Sequence, residues 1–395
     1  MMKNSTRSRA DVLNTLSRLL SEERAAICRT NQEDMSSAPD DLSLADRLYV
    51  DDKKIDGMIL SLTQAAAYPN PDDVILYEFE REDGLRVTNQ TVPFGRILII
   101  YESRPDVTVE AAAMAFKSGN SIMLKGGKEA RNTNLELVRL WHLALEENGY
   151  PTSFISYLDI SRDETQKMIA DPTARIDLII PRGGDAPIDF VLRHSRAPVI
   201  ISGRGNNFIY VHDDAPQEMV IALAINGKQR ISVCNATDKI LIHRDWDDDN
   251  VKSLIVALKE HNIEVLGDES MASWSEVISK VHDQSIWYEE FLAAKMMIGR
   301  VGSIEIAIEN INKYSGGHSA SIVTPQVSLA KQFMKEVDCA AVYHNASTRY
   351  TDGGQLGFGG ELAISTQKLH FRGPVGIDQL VTNKWFIYGD GHIRQ

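Results

Sequence analysis

The sequence predicts an α/β protein with parallel sheets, and two observations carry that expectation. Short, near-continuous runs of β-branched and apolar residues recur along the chain, as in the segment RILIIY at Arg96–Tyr101. Between them lie segments of helical period: Val251, Leu254, Ile255 and Leu258 fall at i, i+3, i+4 and i+7, which is one helix face. Strands that are apolar on both sides belong to sheets covered on both faces, the usual setting of parallel strands. At 395 residues, against roughly 150 per domain, the chain should form two or three domains.

Taken in order, extended segments are expected at Arg96–Tyr101, Ser121–Leu124, Ile176–Ile180, Pro198–Ser202, Phe208–Val211 and Lys239–His243. Helices are expected at Asp106–Lys117, closed by Gly119-Asn120, at Leu135–Glu146, closed by Gly149, at Gln217–Ala224 and at Asp249–Glu260. Two segments break the alternation. Val74–Val92 reads as a β-hairpin with Asp83-Gly84 near its turn, and Leu380–Arg394 is rich in strand formers. The acidic run Asp245–Asp249 reads as a solvated loop and helix start.

Composition removes several classes. With 43% hydrophobic and 25% charged residues the chain is globular, not collagen-like, mucin-like or disordered. A net charge of −13, with no long basic run, argues against a nucleic-acid partner. No stretch reaches the ~18 apolar residues of a membrane span, and the start lacks the apolar core of a secretion signal. Cys28, Cys234 and Cys339 are odd in number and widely spaced, which excludes a disulfide framework and a CxxC zinc site. A cytoplasmic protein with no metal centre is expected. HExxH, Gly-x-Ser-x-Gly and Walker A patterns are absent from the sequence.

Three places can carry chemistry. Cys234 follows a helical segment and precedes a strand, so it should sit on a connecting turn, with Lys228 and Arg230 upstream. An accessible thiol in a positive field favours the nucleophilic thiolate. The commoner fate of a free cysteine is burial, and Cys28, on a helix face, and Cys339, in the apolar strand CAAVY, read that way. Lys125-Gly126-Gly127 and Arg182-Gly183-Gly184 each stand between a strand and a helix. Such turns let a nucleotide approach the backbone at the carboxyl ends of parallel strands, although any βα unit can use glycine there. Gly203-Arg-Gly205-Asn-Asn-Phe208 only imitates a dinucleotide fingerprint, since Phe208 replaces the third glycine and a strand follows. Finally, residues 345–374 hold five glycines within 353–360, together with Arg349, His370 and Arg372, as suits a loop around a small polar substrate.

These stretches, read together, resemble the gamma-glutamyl phosphate reductase family of the aldehyde dehydrogenase superfamily. The resemblance is carried by VPFGRILIIYESRPDVT (92–108), FKSGNSIMLKGGKEARNTN (116–134), DLIIPRGG (177–184), Cys234-Asn235, YEEFL (288–292) and the long run at 337–374. It covers roughly residues 11–395, and the chain opens about one helix later than is usual in that family. It implies an aldehyde dehydrogenase-like fold: two parallel-sheet α/β domains with a small β bridging or oligomerisation element. The implied cofactor domain spans 1–202, interrupted by a bridging hairpin at 73–92. A catalytic domain then occupies 203–360, and 361–395 returns to the cofactor domain as a bridging tail.

The resemblance further implies NADPH-dependent reduction of L-glutamyl 5-phosphate to L-glutamate 5-semialdehyde through a thioacyl enzyme on Cys234. The Cys234 backbone N–H and the Asn226 side chain would serve the oxyanion. NADP(H) would be held by Lys125, Gly126, Gly127, Glu129, Arg182, Gly183, Gly184 and Glu290. The substrate would meet Arg104, Asn345, Ser347, Thr348, Arg349, His370 and Arg372. Hydrolytic members of the superfamily keep a water-activating glutamate where this chain reads Ile201-Ser-Gly-Arg-Gly205, so water would not compete for the thioester. The family more often has arginine at position 125, Arg-Pro-Ser-Thr-Cys at the cysteine turn, where this chain reads Arg-Ile-Ser-Val-Cys, and Cys-His at Asn207-Phe208. A homodimer or homotetramer is implied, with glutamate 5-kinase as a candidate partner. Two other readings are an aldehyde dehydrogenase for another acyl donor and a catalytically idle paralogue that scaffolds the kinase.

Overall fold

The computed structural model of the chain describes residues 7–38, 42–183, 185–231, 233–274, 276–358 and 360–394. Two compact units emerge. One runs to Ile201 and takes in Gly357–Ala363 and the chain from Val375 onward; the other comprises Ser202–Leu356 and Ile364–Pro374.

The first unit opens with helices α1 (Arg9–Glu22), α2 (Arg24–Ser37), α3 (Leu42–Leu48) and α4 (Asp52–Ala67), followed by strands β1 (Ile75–Glu80) and β2 (Arg86–Pro93). Next come β3 (Arg96–Tyr101), α5 (Pro105–Lys117), β4 (Ser121–Lys125), α6 (Arg131–Glu147), β5 (Ile155–Tyr157), α7 (Arg162–Ala170), β6 (Leu178–Arg182) and α8 (Asp185–His194). Strands β3 to β6 form a parallel sheet in the order β5-β4-β3-β6. The alternation of side chains explains its two covered faces. Leu98 and Ile179 pack with Ile169 of α7 and Val191 of α8, while Ile97, Ile99, Ile122 and Leu124 are fully or almost fully buried. The chain winds outward through β4 and β5, then returns to place β6 on the other side of β3. That reversal is where open parallel sheets take their ligands, at the carboxyl ends of the strands.

Ala130, at the N-cap position before α6, offers no side-chain cap. Asp34 of α2 supplies one from a distance, accepting from the backbone N–H groups of Asn132 (3.2 Å) and Thr133 (2.8 Å) and from the Thr133 hydroxyl (2.7 Å). The carboxylate is buried, so these charge-assisted bonds are not diluted by water.

The second unit contains β7 (Asn207–Val211), α9 (Gln217–Lys228), β8 (Thr237–His243), α10 (Asp248–Glu260), β9 (Glu264–Gly267), β10 (Ser279–Lys280), β11 (Lys295–Val301), α11 (Ile304–Tyr314), β12 (Ser319–Val323), α12 (Val327–Glu336) and β13 (Ala341–His344). Its parallel sheet has the order β10-β9-β11-β8-β7-β12-β13. Ile209, Ile240, Ile242 and Ile298 point into one core with α9 and α10. Phe208, Tyr210, Leu241 and Met297 point into the other, with α11 and α12. Short strands β14 (Ala363–Ser365) and β15 (Gly373–Val375) pair with each other. The last strand, β16 (Val381–Tyr388), lies antiparallel to β2, so the hairpin and the tail make one three-stranded sheet, β1-β2-β16.

Four expectations are corrected. Pro198–Ser202 forms no strand of its own. It meets β6 at Ile179, which donates to the Pro198 carbonyl (2.9 Å) and accepts from the Ile200 N–H (3.0 Å); proline has no N–H to extend the ladder. Cys339 precedes β13 and is not within it. Helix α9 runs past Ala224 to Lys228, which puts Asn226 on a helix. Residues 364–374 belong to the second unit, held by Gly203 N–H to the Ile364 carbonyl (2.9 Å) and by Arg372 on Asp338.

Because Asp34 caps α6 from another helix, Asp34→Ala should lower unfolding stability by about 2 kcal/mol, the sum of a lost cap and orphaned buried donors. The urea midpoint of the variant against wild type measures it.

Candidate active site

Cys234 lies half-buried on the turn between α9 and β8. The turn sits on a floor of glycine. A Cβ on Gly205 would stand 1.8 Å from the Cys234 carbonyl oxygen and 2.5 Å from its Cα, closer than atoms can approach. Only glycine fits there, and the reason is the backbone of the nucleophile turn. Beside it, the Asn207 side-chain amide donates to the carbonyls of Cys234 (2.7 Å), Ala236 (2.7 Å) and Gly205 (3.0 Å). A second close approach fixes the helix that leads into the turn, since a Cβ on Gly227 would meet the Thr237 hydroxyl at 2.3 Å.

The residue after the cysteine secures the other side. The Asn235 amide donates to the carbonyls of Arg349 (3.1 Å) and Thr351 (3.0 Å), and its oxygen accepts from the Arg349 guanidinium. The Thr348 hydroxyl donates to the Asn235 carbonyl at 2.9 Å and lies 3.0 Å from the Thr237 hydroxyl. Ser347 accepts from the Arg349 N–H at 3.3 Å and opens the short turn that carries both residues. Arg349 thus lies within electrostatic range of the Cys234 sulfur; burial, and then Arg230, push its guanidinium below the usual arginine range, with Asp352 and Cys234 opposing. Thr348, Ser347 and Arg349, expected from the sequence, are therefore gathered around Cys234.

Other expected residues are placed differently. Asn345 spends its side chain on Thr324, accepting from its N–H and donating to its carbonyl, both at 3.0 Å. Arg372 gives donors to the Asp338 carboxylate and carbonyl, each at 2.7 Å. His370 and Asn226 are exposed, the latter on the last turn of α9.

The YEEFL segment opens at the end of a short turn of helix, Gln284–Tyr288, and is gripped by buried charges, of which the sequence reading singled out Lys228 alone. The Lys239 amine donates to the Glu289 carbonyl at 2.8 Å and lies 3.5 Å from the centre of the Phe291 ring. Asp238 accepts from the Phe291 N–H at 2.7 Å and pairs with Lys228. Glu290 is half-buried on the same loop.

In the first unit, the turns after β3, β4 and β6 carry the expected cofactor residues. A Cβ on Gly126 would stand 2.4 Å from the Asn134 amide, and one on Gly127 would stand 3.2 Å from the Ser103 N–H. These glycines let the turn after β4 close upon α6 and upon the end of β3. The Lys125 amine donates to the Gly126 carbonyl at 2.9 Å; burial pushes its ammonium below the usual lysine range, opposed by Asp159 and Glu129. Ser103 donates to Glu129 at 3.5 Å. Arg182 ends β6, and Gly183 lies against Glu102; Gly184 falls outside the described residues. Arg104 stands at the N-cap position of α5 without a side-chain capping bond and pairs with Asp106 at 3.3 Å. The sequence reading missed Asp106 and Glu110, one helical turn apart on α5. Burial, reinforced by Asp106, pushes Glu110 up to about 7, with Arg104 and Arg182 opposing. The i, i+4 carboxylate spacing was the available signal.

Comparison with known proteins places this arrangement. The model of the aldehyde dehydrogenase family matches residues 1–282 and 267–385. A gamma-glutamyl phosphate reductase of Clostridium botulinum is 37% identical over 398 residues, spanning all of this chain and 96% of its own. The one of Clostridium acetobutylicum is 40% identical over 394 residues, 99% of this chain and 94% of its own. The crystal structure of the gamma-glutamyl phosphate reductase of Thermotoga maritima matches with a TM-score of 0.94 at 39% identity, covering 100% of this chain and 96% of that one.

Since Gly205 leaves no room for a side chain under Cys234, Gly205→Ala should displace the nucleophile and cut turnover about 100-fold, the usual cost of misplacing a reacting group by about 1 Å. Steady-state rates beside the circular dichroism spectrum of the variant test this.

Proposed function

The chain belongs to the gamma-glutamyl phosphate reductases of the aldehyde dehydrogenase family, and on that premise we propose how its own residues reduce L-glutamyl 5-phosphate to L-glutamate 5-semialdehyde with release of phosphate. This is the second step of proline biosynthesis from glutamate. The observation that carries the assignment is the half-buried thiol of Cys234, seated on Gly205 and flanked by Arg349.

The Cys234 thiolate attacks the acyl carbon of the substrate. The carbonyl electrons move to oxygen, and their return expels phosphate and leaves a thioester on the sulfur. Arg349 favours the thiolate by its positive charge and would draw the anionic substrate toward it. The Cys234 N–H and the Asn226 amide are the donors proposed for the developing oxyanion. NADPH, when bound, supplies the hydride that converts the thioester to a thiohemiacetal. When that adduct opens, the carbon–sulfur bond breaks, the aldehyde leaves and Cys234 is restored. Ile201–Gly205 offers no carboxylate to activate water, which protects the thioester from hydrolysis.

The fit of the dinucleotide rests on the donor set of the first unit. Lys125, a partly desolvated cation, suits the 2′-phosphate that distinguishes NADP, and Glu129 on the same turn suits a ribose hydroxyl. Gly126, Gly127, Arg182, Gly183 and Gly184 would line the pyrophosphate, at the reversal of strand order that favours such ligands. Glu290 would take the nicotinamide ribose. Arg104, Asn345, Ser347, Thr348, Arg349, His370 and Arg372 remain the residues proposed for the substrate's anionic ends. Among them Ser347, Thr348 and Arg349 have the strongest support, by their place around Cys234-Asn235.

The exposed strand β1, with Ile75, Leu76, Tyr77 and Phe79 at its surface, supports pairing of subunits into a homodimer or homotetramer. Three free cysteines fit a reducing compartment such as the cytoplasm. Among the described residues no helix is long and apolar enough to cross a membrane.

Run in reverse, glutamate semialdehyde with NADP should yield NADPH only when inorganic phosphate is present. NADPH formation without phosphate would point to a hydrolytic dehydrogenase instead. Cys234→Ala should abolish turnover while retaining NADPH binding, followed by fluorescence of the nicotinamide; residual turnover near wild type would remove this sulfur from the reaction.

A further inference from the structure

Below the YEEFL loop lies a buried group of charges that the reaction as described leaves without a task. Lys228 closes α9, Asp238 and Lys239 open β8, and all three are almost wholly buried. Burying two ammonium groups and a carboxylate is costly unless each is paired and hydrogen-bonded. Here their bonds converge on one segment. Asp238 divides its carboxylate between Lys228 and the Phe291 N–H. Lys239 binds the Glu289 carbonyl and lies over the Phe291 ring, with Lys228 5.8 Å from the same ring centre. The residue between these anchors is Glu290. Its backbone is thus fixed on both sides by charges that flank the turn bearing Cys234.

We propose that Lys239 is a positioning residue for cofactor binding: by holding the Glu289 carbonyl and the Phe291 ring it sets Glu290 where the nicotinamide ribose is gripped. The inference rests on the reading of Glu290 as a cofactor contact. Lys239 touches neither substrate nor cofactor; it acts through the loop. Two elements make this a task for a cation. The ammonium supplies a donor to a carbonyl and a charge to an aromatic face, and both contacts end on the same five-residue segment.

The groups that face Lys239 are Asp238 on its own strand, Lys228 from α9, and Glu289 and Glu290 from the loop. Burial pushes its ammonium down to about 7, with Lys228 adding to that effect and Asp238, Glu289 and Glu290 opposing it. Below that pH the charge holds the ring; above it only the amine's hydrogen bond remains. The grip on Glu290, and with it the affinity for NADPH, should therefore weaken as pH rises through neutrality.

The test compares Lys239→Met, Lys239→Arg and Glu290→Gln in the full-length enzyme. For Lys239→Met the KM for NADPH should rise about tenfold with kcat changed less than about twofold, the pattern of lost binding rather than lost chemistry. Alkylation of Cys234 by iodoacetamide should proceed at the wild-type rate. Arginine keeps its proton throughout, so Lys239→Arg should recover most of the NADPH affinity, and its KM should vary less between pH 6 and 9 than that of wild type. A folded Lys239→Met with wild-type KM for NADPH overturns the proposal. Should the methionine variant fail to fold, an unaltered pH profile in Lys239→Arg does so instead. Glu290→Gln separates the two readings: if its NADPH affinity is wild type, the assignment of Glu290 has failed, and if only that variant is impaired, the role of Lys239 has.

Discussion

The contact on which the site depends is that between two backbones, Gly205 and Cys234. The peptide leading into β7 passes under the nucleophile turn so closely that a single methyl group would collide with the Cys234 carbonyl. That carbonyl is then tied to Asn207, and the following residue, Asn235, to the turn at Ser347–Thr351. Three stretches distant in sequence thereby come together at one sulfur. A cysteine on a free loop would lose this registration and pay an ordering cost each time substrate arrived. The seat is prepaid by folding.

Polar groups do most of this holding, and their burial is what makes them effective. Asn207, Asn235, Thr237 and Thr348 are all within the protein interior, where a hydrogen bond has no water to compete with. The same logic holds at the turn after β4, where Tyr101, Thr108 and Asn134 form a buried chain, 2.6 Å and then 2.8 Å between successive partners, behind Gly126. Glycine in both places is a consequence of what lies behind it. At Gly126 it is a side-chain amide, and at Gly205 a peptide.

Much of the architecture was legible because it rests on local signals. Apolar runs at 96–101, 121–124 and 208–211 became strands, two of them one residue longer, and the helical period at 251–258 became α10. Cys234 was legible as a thiol on a turn between helix and strand, and the two Gly-Gly turns as backbone openings after strands. What escaped notice was nonlocal. Gly203-x-Gly205 was set aside as a false fingerprint, yet its second glycine is required by a residue far along the chain. Asp238 and Lys239 look like the solvated start of a strand, and only the tertiary fold shows them buried beneath Phe291. In the tail, Arg372 bonds Asp338 and Asn345 bonds Thr324, partners that no pattern of residue types could disclose.

The antiparallel sheet joins segments far apart in sequence, β1 and β2 at residues 75–93 and β16 at 381–388. Strand β2 pairs with β1 on one side and finds its other partner in β16, whereas nearly the whole second unit is one uninterrupted stretch of sequence. On a ribosome, then, the parallel core around Cys234 can assemble while the unit that began earlier still waits for its closing strand. Loss of β16 would leave β2 an open edge, so a chain cut short before that strand carries a finished cysteine turn and an unfinished scaffold.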